Sequence, residues 1–445
     1  MGVRVDLRKL LHKLDELGLV KTCDCQVDPH LEMARVIHAL EESPVLFRAV
    51  RSRALSVTAG LCSSRETIAL GLGMTVEELV PRLMGALRGP TRPSRVGGAP
   101  CQQVVEREVD LERLPINTYF AEDGGPYVTA GVAIIEDADL GRNICFHRFQ
   151  LLDRNRFAVR VVEDRGTHVA WSKSSGDLPM AVCIGNSMAV LVAAAMSPGP
   201  DVDELSIANA LTPTPVVKCV TLDLEVPASA EIVLEGRLTH RLVEEGPFVD
   251  LTETRDIVRM QPVFEVDCVT RRDDAIYQTL LPGGREHKLL MGLPREPSIY
   301  EAVNSVCRCL SVSMTEGGGH WLHAVVQIAK QSADDGRRAI SAAFRGHSSL
   351  KHVVVVGEDV DPFDSEAVEH AIATRFQADR DLVVLSDRPS SSLDPSARHV
   401  PGKKSRTAKM GLDATVHWDT DAEGPGLADY ERVRYEPVDL RDYLP

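Results

Sequence analysis

The chain has 445 residues, 44% of them hydrophobic and 26% charged, and a formal net charge of -15. That length exceeds what a single hydrophobic core supports and predicts two or three domains. The acidic balance opposes attraction to nucleic acid or to an anionic membrane; no apolar run approaches the ~20 residues of a bilayer span, so a cytoplasmic protein is expected.

The first eighteen residues lack the uninterrupted apolar core of a signal peptide. Leu7, Leu10, Leu11, Leu14 and Leu17 recur at helical spacing behind Asp6, a cap, and before Gly18, a stop, which predicts an amphipathic helix. Residues 28–43 and 75–89 carry the same spacing, and the Pro- and Gly-rich run 88–100 reads as a linker. Beyond it the texture changes to strands. Residues 127–135, 156–162, 220–226, 231–238 and 263–270 are short runs rich in β-branched residues, or alternate. Residues 180–196 are apolar and Ala-rich, which predicts a strand followed by a buried helix. Mixed strands with few helices predict an α+β domain on a barrel-like sheet.

After residue 316 the pattern turns to α/β. A Val-rich strand at 352–356, a helix capped by Asp364 or Ser365, and a strand at 381–387 predict a parallel pair joined by a crossover helix. Glu358, Asp359 and Asp361 follow the first strand; acids there serve either as loop caps or as ligands for a divalent ion. The polar stretch 387–409 contains the most basic part of the chain and reads as mobile. Ten scattered cysteines, including the C-x-C pairs Cys23/Cys25 and Cys307/Cys309, suit reduced thiols better than a zinc site.

Polar residues embedded in apolar strand texture are the candidates for chemistry, because buried charge is costly unless paired or bound. Asn143, His147 and Arg148 lie among Ile144, Cys145, Phe146 and Phe149; Arg160, Arg165, His168 and Glu204 follow. Further on, Glu244, Glu245 and Asp250 flank the Gly246-Pro247 corner and Phe248. Taken singly, each has a structural reading: a surface arginine, a loop histidine, a helix-start acid favoured by the dipole, a solvated acidic turn. Taken together, an Asn, a His and a Glu form an oxygen and nitrogen set that suits Mn or Mg.

Four ordered motifs carry more than any one: N-I-C-F-H-R at 143–148, R-G-x-H at 165–168, D-E-L-S-I-A at 203–208 and E-G-P-F-V-D at 245–250. With the runs at 127–131, 281–296, 353–364 and 409–415, the chain resembles, over most of its length, the UbiD-type decarboxylases. These are reversible, non-oxidative (de)carboxylases that use prenylated FMN. The resemblance implies a multidomain α+β and α/β fold. It comprises an N-terminal α/β region with linker (1–100), a split β-barrel-like domain for flavin and metal (101–315), and a C-terminal α/β dimerisation domain with a tail (316–445).

The resemblance also implies roles. Asn143, His168 and Glu204 would hold Mn2+ or Mg2+ against the cofactor phosphate, with K+ nearby, and Arg160 and Arg165 would supply further positive charge. Ile144, Cys145, Phe146, His147 and Arg148, then Arg160, Val161 and Val162, then Arg165 with Gly166, match stretches that touch the cofactor; Lys409 would reach it from the C-terminal domain. Arg148 would orient the substrate carboxylate, Asp250 would return a proton, and Glu245 would hold Arg148; the family carries either Glu or Asp at the position of Asp250. The substrate would be an α,β-unsaturated or aromatic carboxylic acid, the cofactor supplier a flavin prenyltransferase, and the assembly a homodimer or larger homo-oligomer. The same site permits carboxylation, the reverse reaction. A flavin-binding member without turnover would have a broken Glu-Arg-acid set, and here all three residue types are present. His287 has two readings, a residue near the pocket or simply a loop histidine, and the second is the plainer.

Overall fold

The computed structural model describes residues 6–137, 139, 141–199, 202–400, 403–417, 427–430, 433 and 436–443. They form two compact units. The first runs to Pro297 and adds Glu316–Trp321 and Ser392–Ala397; the second takes Ser298–Thr315, Leu322–Ser391 and the chain from Arg398.

In the first unit, helix α1 (Leu7–Glu16) begins at Asp6, whose carboxylate accepts the Lys9 N–H at 3.0 Å. Leu7, Leu10, Leu11 and Leu14 are buried, each such side chain contributing about 1.5–3 kcal/mol. Leu17, expected on that face, lies past the last turn and is 57% exposed, because the chain leaves the helix at Gly18, which takes a positive φ of 69°. Arg8 fixes the helix to the sheet: its Nε and Nη2 reach the two oxygens of the buried Glu231, each at 2.8 Å.

The main sheet has nine strands: β1 (Val104–Glu106), β2 (Tyr127–Val128), β3 (Val132–Asp137), β4 (Gly141–Phe146), β5 (Phe149–Asp153), β6 (Arg156–Val159), β7 (Leu178–Ile184), β8 (Ile232–Glu245) and β11 (Arg259–Arg271). A two-stranded ribbon, β9 (Phe248–Val249) with β10 (Arg255–Asp256), lies between β8 and β11 in the chain. The sheet order is β2-β5-β6-β11-β8-β7-β3-β4, with β1 on β11, and every pairing is antiparallel. Among the described residues no pairing joins the two ends of that path. Helix α2 (Glu32–Ala39) follows α1 in the chain, and helices α3 (Gly166–Lys173), α4 (Met188–Ala195), α5 (Glu204–Leu211) and α6 (Arg285–Gly292) complete the elements that matter for the site. All eight residues of α4 are buried, as an all-apolar helix requires. The strand-then-helix reading of 180–196 therefore holds.

Three expectations are corrected. Most of the predicted strand at 220–226 is a turn, because the Glu235 carboxylate takes the Val220 and Thr221 N–H groups at 2.9 and 2.6 Å. In the second unit, β12 (Arg308–Met314), β13 (His323–Ala329), β14 (His352–Val356), β15 (Leu382–Pro389) and β16 (Arg406–Ala414) form one sheet in the order β12-β13-β14-β16-β15. The expected parallel pair of β14 and β15 does not form: β16 lies between them, parallel to β14, and β15 runs antiparallel on the outside. The sequence of β15 supplies the reason. Asp387, Arg388 and Pro389 suit an edge, and Pro389 cannot donate to an inner ladder. The stretch 387–409, read as mobile, is bonded back on itself, with Ser390 N–H to the Ser405 carbonyl at 2.8 Å and Arg398 bridged to Arg406; Pro401 and Gly402 lie outside the described residues.

Leu14→Ala removes a fully buried side chain from the α1 face, and is expected to lower unfolding free energy by about 2–5 kcal/mol, read as a lower urea midpoint at unchanged slope.

Candidate active site

The corner after β8 brings its acids onto one arginine. Alternation along β8 buries Glu245 and turns Glu244 outward, so Glu244 takes no part. The Gly246-Pro247 peptide is cis, and Gly246 has a φ of 102° that favours glycine. Gln150 holds this corner: its amide oxygen accepts the Gly246 N–H at 3.0 Å and its Nε2 donates to the Gly124 carbonyl at 2.7 Å. Arg148 sits in the two-residue link between β4 and β5, with its carbonyl accepting the Arg160 N–H at 3.2 Å.

The Arg148 guanidinium is 8% exposed and faces three carboxylates. Its Nε and Nη2 donate to the two oxygens of Glu245 at 2.9 and 3.0 Å, and its Nη1 donates to Asp250 Oδ2 at 2.7 Å. Nη2 also donates to Asp256 Oδ2 at 2.9 Å. The Phe248 ring lies 4.6 Å from the guanidinium carbon, and packs on Tyr127. The Tyr127 hydroxyl donates to Glu245 Oε1 at 3.2 Å. Burial opposes the charge on Arg148, but the Glu245 hydrogen bonds and the three acidic charges outweigh it and hold the guanidinium well above its ordinary pKa. Burial also works against ionisation of Asp256, yet Arg148 and Arg259 prevail and keep that carboxyl below its usual range.

His287, on the first turn of α6, lies close enough to this set to feel Asp250, Arg148 and Lys288 electrostatically; burial keeps its pKa low. Its Nδ1 accepts the Gly283 N–H at 3.1 Å, so the neutral ring carries its proton on Nε2. Glu42 accepts the Arg285 and Glu286 N–H groups at 2.6 and 2.8 Å and anchors the start of α6.

Two of the three expected metal ligands meet. Asn143 Nδ2 donates to Glu204 Oε1 at 3.2 Å, and Ile144 N–H donates to Glu204 Oε2 at 3.0 Å. Glu204 opens α5 behind its cap Asp203 and is 5% exposed; burial pushes its carboxyl up to about 7. The Asn143 Oδ1 abuts Gly166, where a Cβ would come within 2.8 Å of it. His168 is half-buried on the first turn of α3, two residues beyond Gly166, and its Nδ1 accepts a long 3.4 Å bond from the Asp164 N–H. This buried carboxylate, amide oxygen and imidazole fit a hard divalent cation in chemistry. Among the described residues no group of three or more His, Cys, Asp or Glu is arranged to hold a metal.

The remaining expected contacts divide. Arg160 is buried and donates to both oxygens of Glu163 at 3.1 Å, whereas Arg165 and Val162 are exposed. Val161 is buried, its N–H donating to Gln261 Oε1 at 2.8 Å; Ile144 is core, and Phe146 half-buried. His147 is buried and held neutral, its pKa pushed down to about 4 by burial; it bonds the Arg160 carbonyl at 3.0 Å and Thr167 Oγ1 at 2.9 Å. Lys409 belongs to the second unit, where its ammonium donates to the Ser348 carbonyl at 2.7 Å and lies over the Phe344 ring; burial brings its pKa to about 8. Asp359 pairs with Arg375 and Asp361 caps the Phe363 N–H, which is the loop-cap alternative. All ten cysteines are free thiols. Asp256 and Gln150 went unread in the sequence: each is a single polar residue in ordinary strand or turn texture, with no motif spacing to mark it.

The first unit thus holds two polar centres, the buried Arg148 with its three carboxylates and the Asn143–Glu204 pair. The chain matches the N-terminal, Rift-related and C-terminal domain models of 3-octaprenyl-4-hydroxybenzoate carboxy-lyase over residues 11–87, 94–285 and 288–414. It belongs to this family, the UbiD family, and is a carboxy-lyase. It is 42% identical over 417 residues to the anhydromevalonate phosphate decarboxylase of Methanothermobacter thermautotrophicus, covering 92% of this chain and 96% of that one. The enzyme of that name from Methanosarcina mazei is 40% identical over 415 residues, covering 92% and 95%. Among solved structures, the UbiD-class enzyme HmfF from Pelotomaculum thermopropionicum in complex with FMN superposes with a TM-score of 0.93 at 37% identity, covering 99% of this chain and 100% of that one. An evolved dimeric form of HmfF in complex with prFMN gives 0.89 at 35% identity, covering 99% and 100%. Among the described residues no helix is long and apolar enough to cross a membrane.

Burial pushes the Cys145 thiol up to about 12, so almost none is thiolate at about pH 8. Iodoacetamide mapped by mass spectrometry is expected to label the exposed Cys25 and leave Cys145 unmodified until the protein is denatured.

Proposed function

We propose that this carboxy-lyase decarboxylates a small phosphorylated α,β-unsaturated acid of the anhydromevalonate phosphate type, with prenylated FMN as cofactor. The observation that carries the reading is the buried Arg148 bonded at once to Glu245 and Asp250, which provides an anchor for a carboxylate beside an acid. The substrate type comes from two relatives named anhydromevalonate phosphate decarboxylase at 40% identity or more, each covering 92% of the chain. The FMN- and prFMN-bound HmfF structures support the cofactor.

Asn143, His168 and Glu204 would hold Mn2+ or Mg2+ at the cofactor phosphate, a K+ ion would sit nearby, and Arg160 and Arg165 would add positive charge. Prenylated FMN supplies the electron sink for the pair left when CO2 departs. The protein does the rest. Arg148 binds the substrate carboxylate; the apolar ring of Phe248 and the buried Tyr127 keep water from it, which raises the free energy of the carboxylate relative to neutral CO2. Asp250 gives its proton to the carbon that lost CO2 and recovers it from solvent, since its side chain is 17% exposed whereas Glu245 is fully enclosed. Glu245 holds the guanidinium in plane. The cofactor is taken to come from a flavin prenyltransferase, and a homo-oligomer is part of the same reading.

Protein loaded with prenylated FMN is expected to release CO2 from anhydromevalonate phosphate and, in deuterium oxide, to leave one deuteron on the product by mass spectrometry. Absence of both products from flavin-loaded protein would sink the substrate assignment. Asp250→Asn is expected to abolish turnover with flavin content and melting temperature unchanged; wild-type activity would remove the proton-donor role. Glu204→Gln is expected to lose manganese and flavin together, read by elemental analysis and absorbance. Unchanged occupancy would defeat the ligand set.

A further inference from the structure

A guanidinium has five N–H donors, and the structure accounts for four of those on Arg148. Nε and one Nη2 hydrogen go to Glu245, the second Nη2 hydrogen goes to Asp256, and one Nη1 hydrogen goes to Asp250. The donor left over is on Nη1, the nitrogen that Asp250 shares. Asp256 is itself tied down. Its Oδ2 is also ion-paired with Arg259 Nη1 at 2.7 Å, its Oδ1 accepts the Ile257 N–H at 2.9 Å, and its backbone pairs with Phe248 in the β9–β10 ribbon. The ribbon thereby supplies both the ring on the guanidinium face and the carboxylate at its far edge.

We infer that Asp256, held by Arg259, is a positioning residue: by occupying the second Nη2 hydrogen it leaves Arg148 able to meet a substrate carboxylate only through Nη1, next to Asp250. This rests on the functional reading above. Without Asp256, Arg148 gains a second open donor, on Nη2 rather than on the Nη1 that Asp250 shares, and a carboxylate can bind there as tightly, or more so, but displaced from the acid. A misplacement of about 1 Å at a reacting centre costs on the order of 100-fold in rate.

The test compares wild type, Asp256→Ala, Asp256→Asn and Arg259→Met as full-length protein. Asn retains a carbonyl oxygen for Nη2 but not the charge that holds Arg259. Asp256→Ala is expected to lower kcat by about 10- to 100-fold with KM unchanged or lower, and Asp256→Asn to recover part of that loss. Arg259→Met should fall between Asn and wild type. Calorimetry on FMN-loaded protein with a saturated, unreactive carboxylic acid should show binding to Asp256→Ala equal to or tighter than wild type. Wild-type kcat and KM in Asp256→Ala would overturn the inference, as would joint collapse of flavin content and melting temperature in both the Ala and Asn variants, or acid binding weakened tenfold or more. The calorimetric comparison needs no turnover. If wild type loaded with prenylated FMN fails to decarboxylate, the functional reading falls while the acid-binding result still decides the positioning role.

Discussion

One buried cation organises the centre of this protein. Arg148 is almost fully enclosed and lies within hydrogen-bonding reach of three carboxylates. A buried charge is costly without a partner, and with three carboxylates in reach Arg148 keeps its compensation even when one is lost. Glu245 is the most deeply enclosed and binds in the plane of the guanidinium, which fixes the orientation of the fork. Asp250 then takes a hydrogen of Nη1 and Asp256 one of Nη2, and Arg259 pairs with Asp256. The arrangement holds three acids against two arginines.

The rest of the first unit serves this geometry. Antiparallel β8 and β11 carry Glu245 and Arg259 opposite each other in register, and the excursion between the strands is the ribbon that bears Phe248, Asp250 and Asp256. Gln150 joins the corner to the loop at Gly124. Behind the sheet, the wholly apolar α4 and the leucine face of α1 form the core that keeps the strands in place. A second polar centre lies along β4, where the ladder turns Asn143 toward Glu204 at the start of α5. Its chemistry is opposite to that of the arginine site: an acid short of positive charge rather than a cation surrounded by acids. Arg160 is bonded to Glu163, and Arg259 reaches Glu163 through its charge.

The two centres explain how an acidic chain can serve anionic ligands. Net charge acts at long range and is screened within about 10 Å at ordinary ionic strength. Inside a site, buried guanidinium groups dominate, because low polarisability strengthens near interactions more than distant ones. The -15 net charge therefore bears on solubility and on excluded macromolecular partners, and does not forbid a phosphate or carboxylate ligand.

Much of the local structure was legible in the chain itself. The cap at Asp6, the leucine spacing of α1, the apolar run that becomes β7 and α4, and the cap at Asp364 depend on neighbours within a few residues, and each formed. The ordered motifs likewise identified the residue types that converge, since Arg148, Glu245 and Asp250 are diagnostic in sequence order. What depends on partners far away was not legible. Strand order in the second unit turned on which segment could tolerate an edge, and residues 220–224 gave up their strand to a carboxylate fourteen or more residues distant. Asp256 joined the arginine only because a two-stranded ribbon folds it back over 108 residues of separation, a closure that pattern and propensity do not encode. Sequence by itself determined which groups are available; tertiary structure decided how the five donors of one guanidinium are shared among them, because that sharing is a matter of angles and distances between residues that are not neighbours.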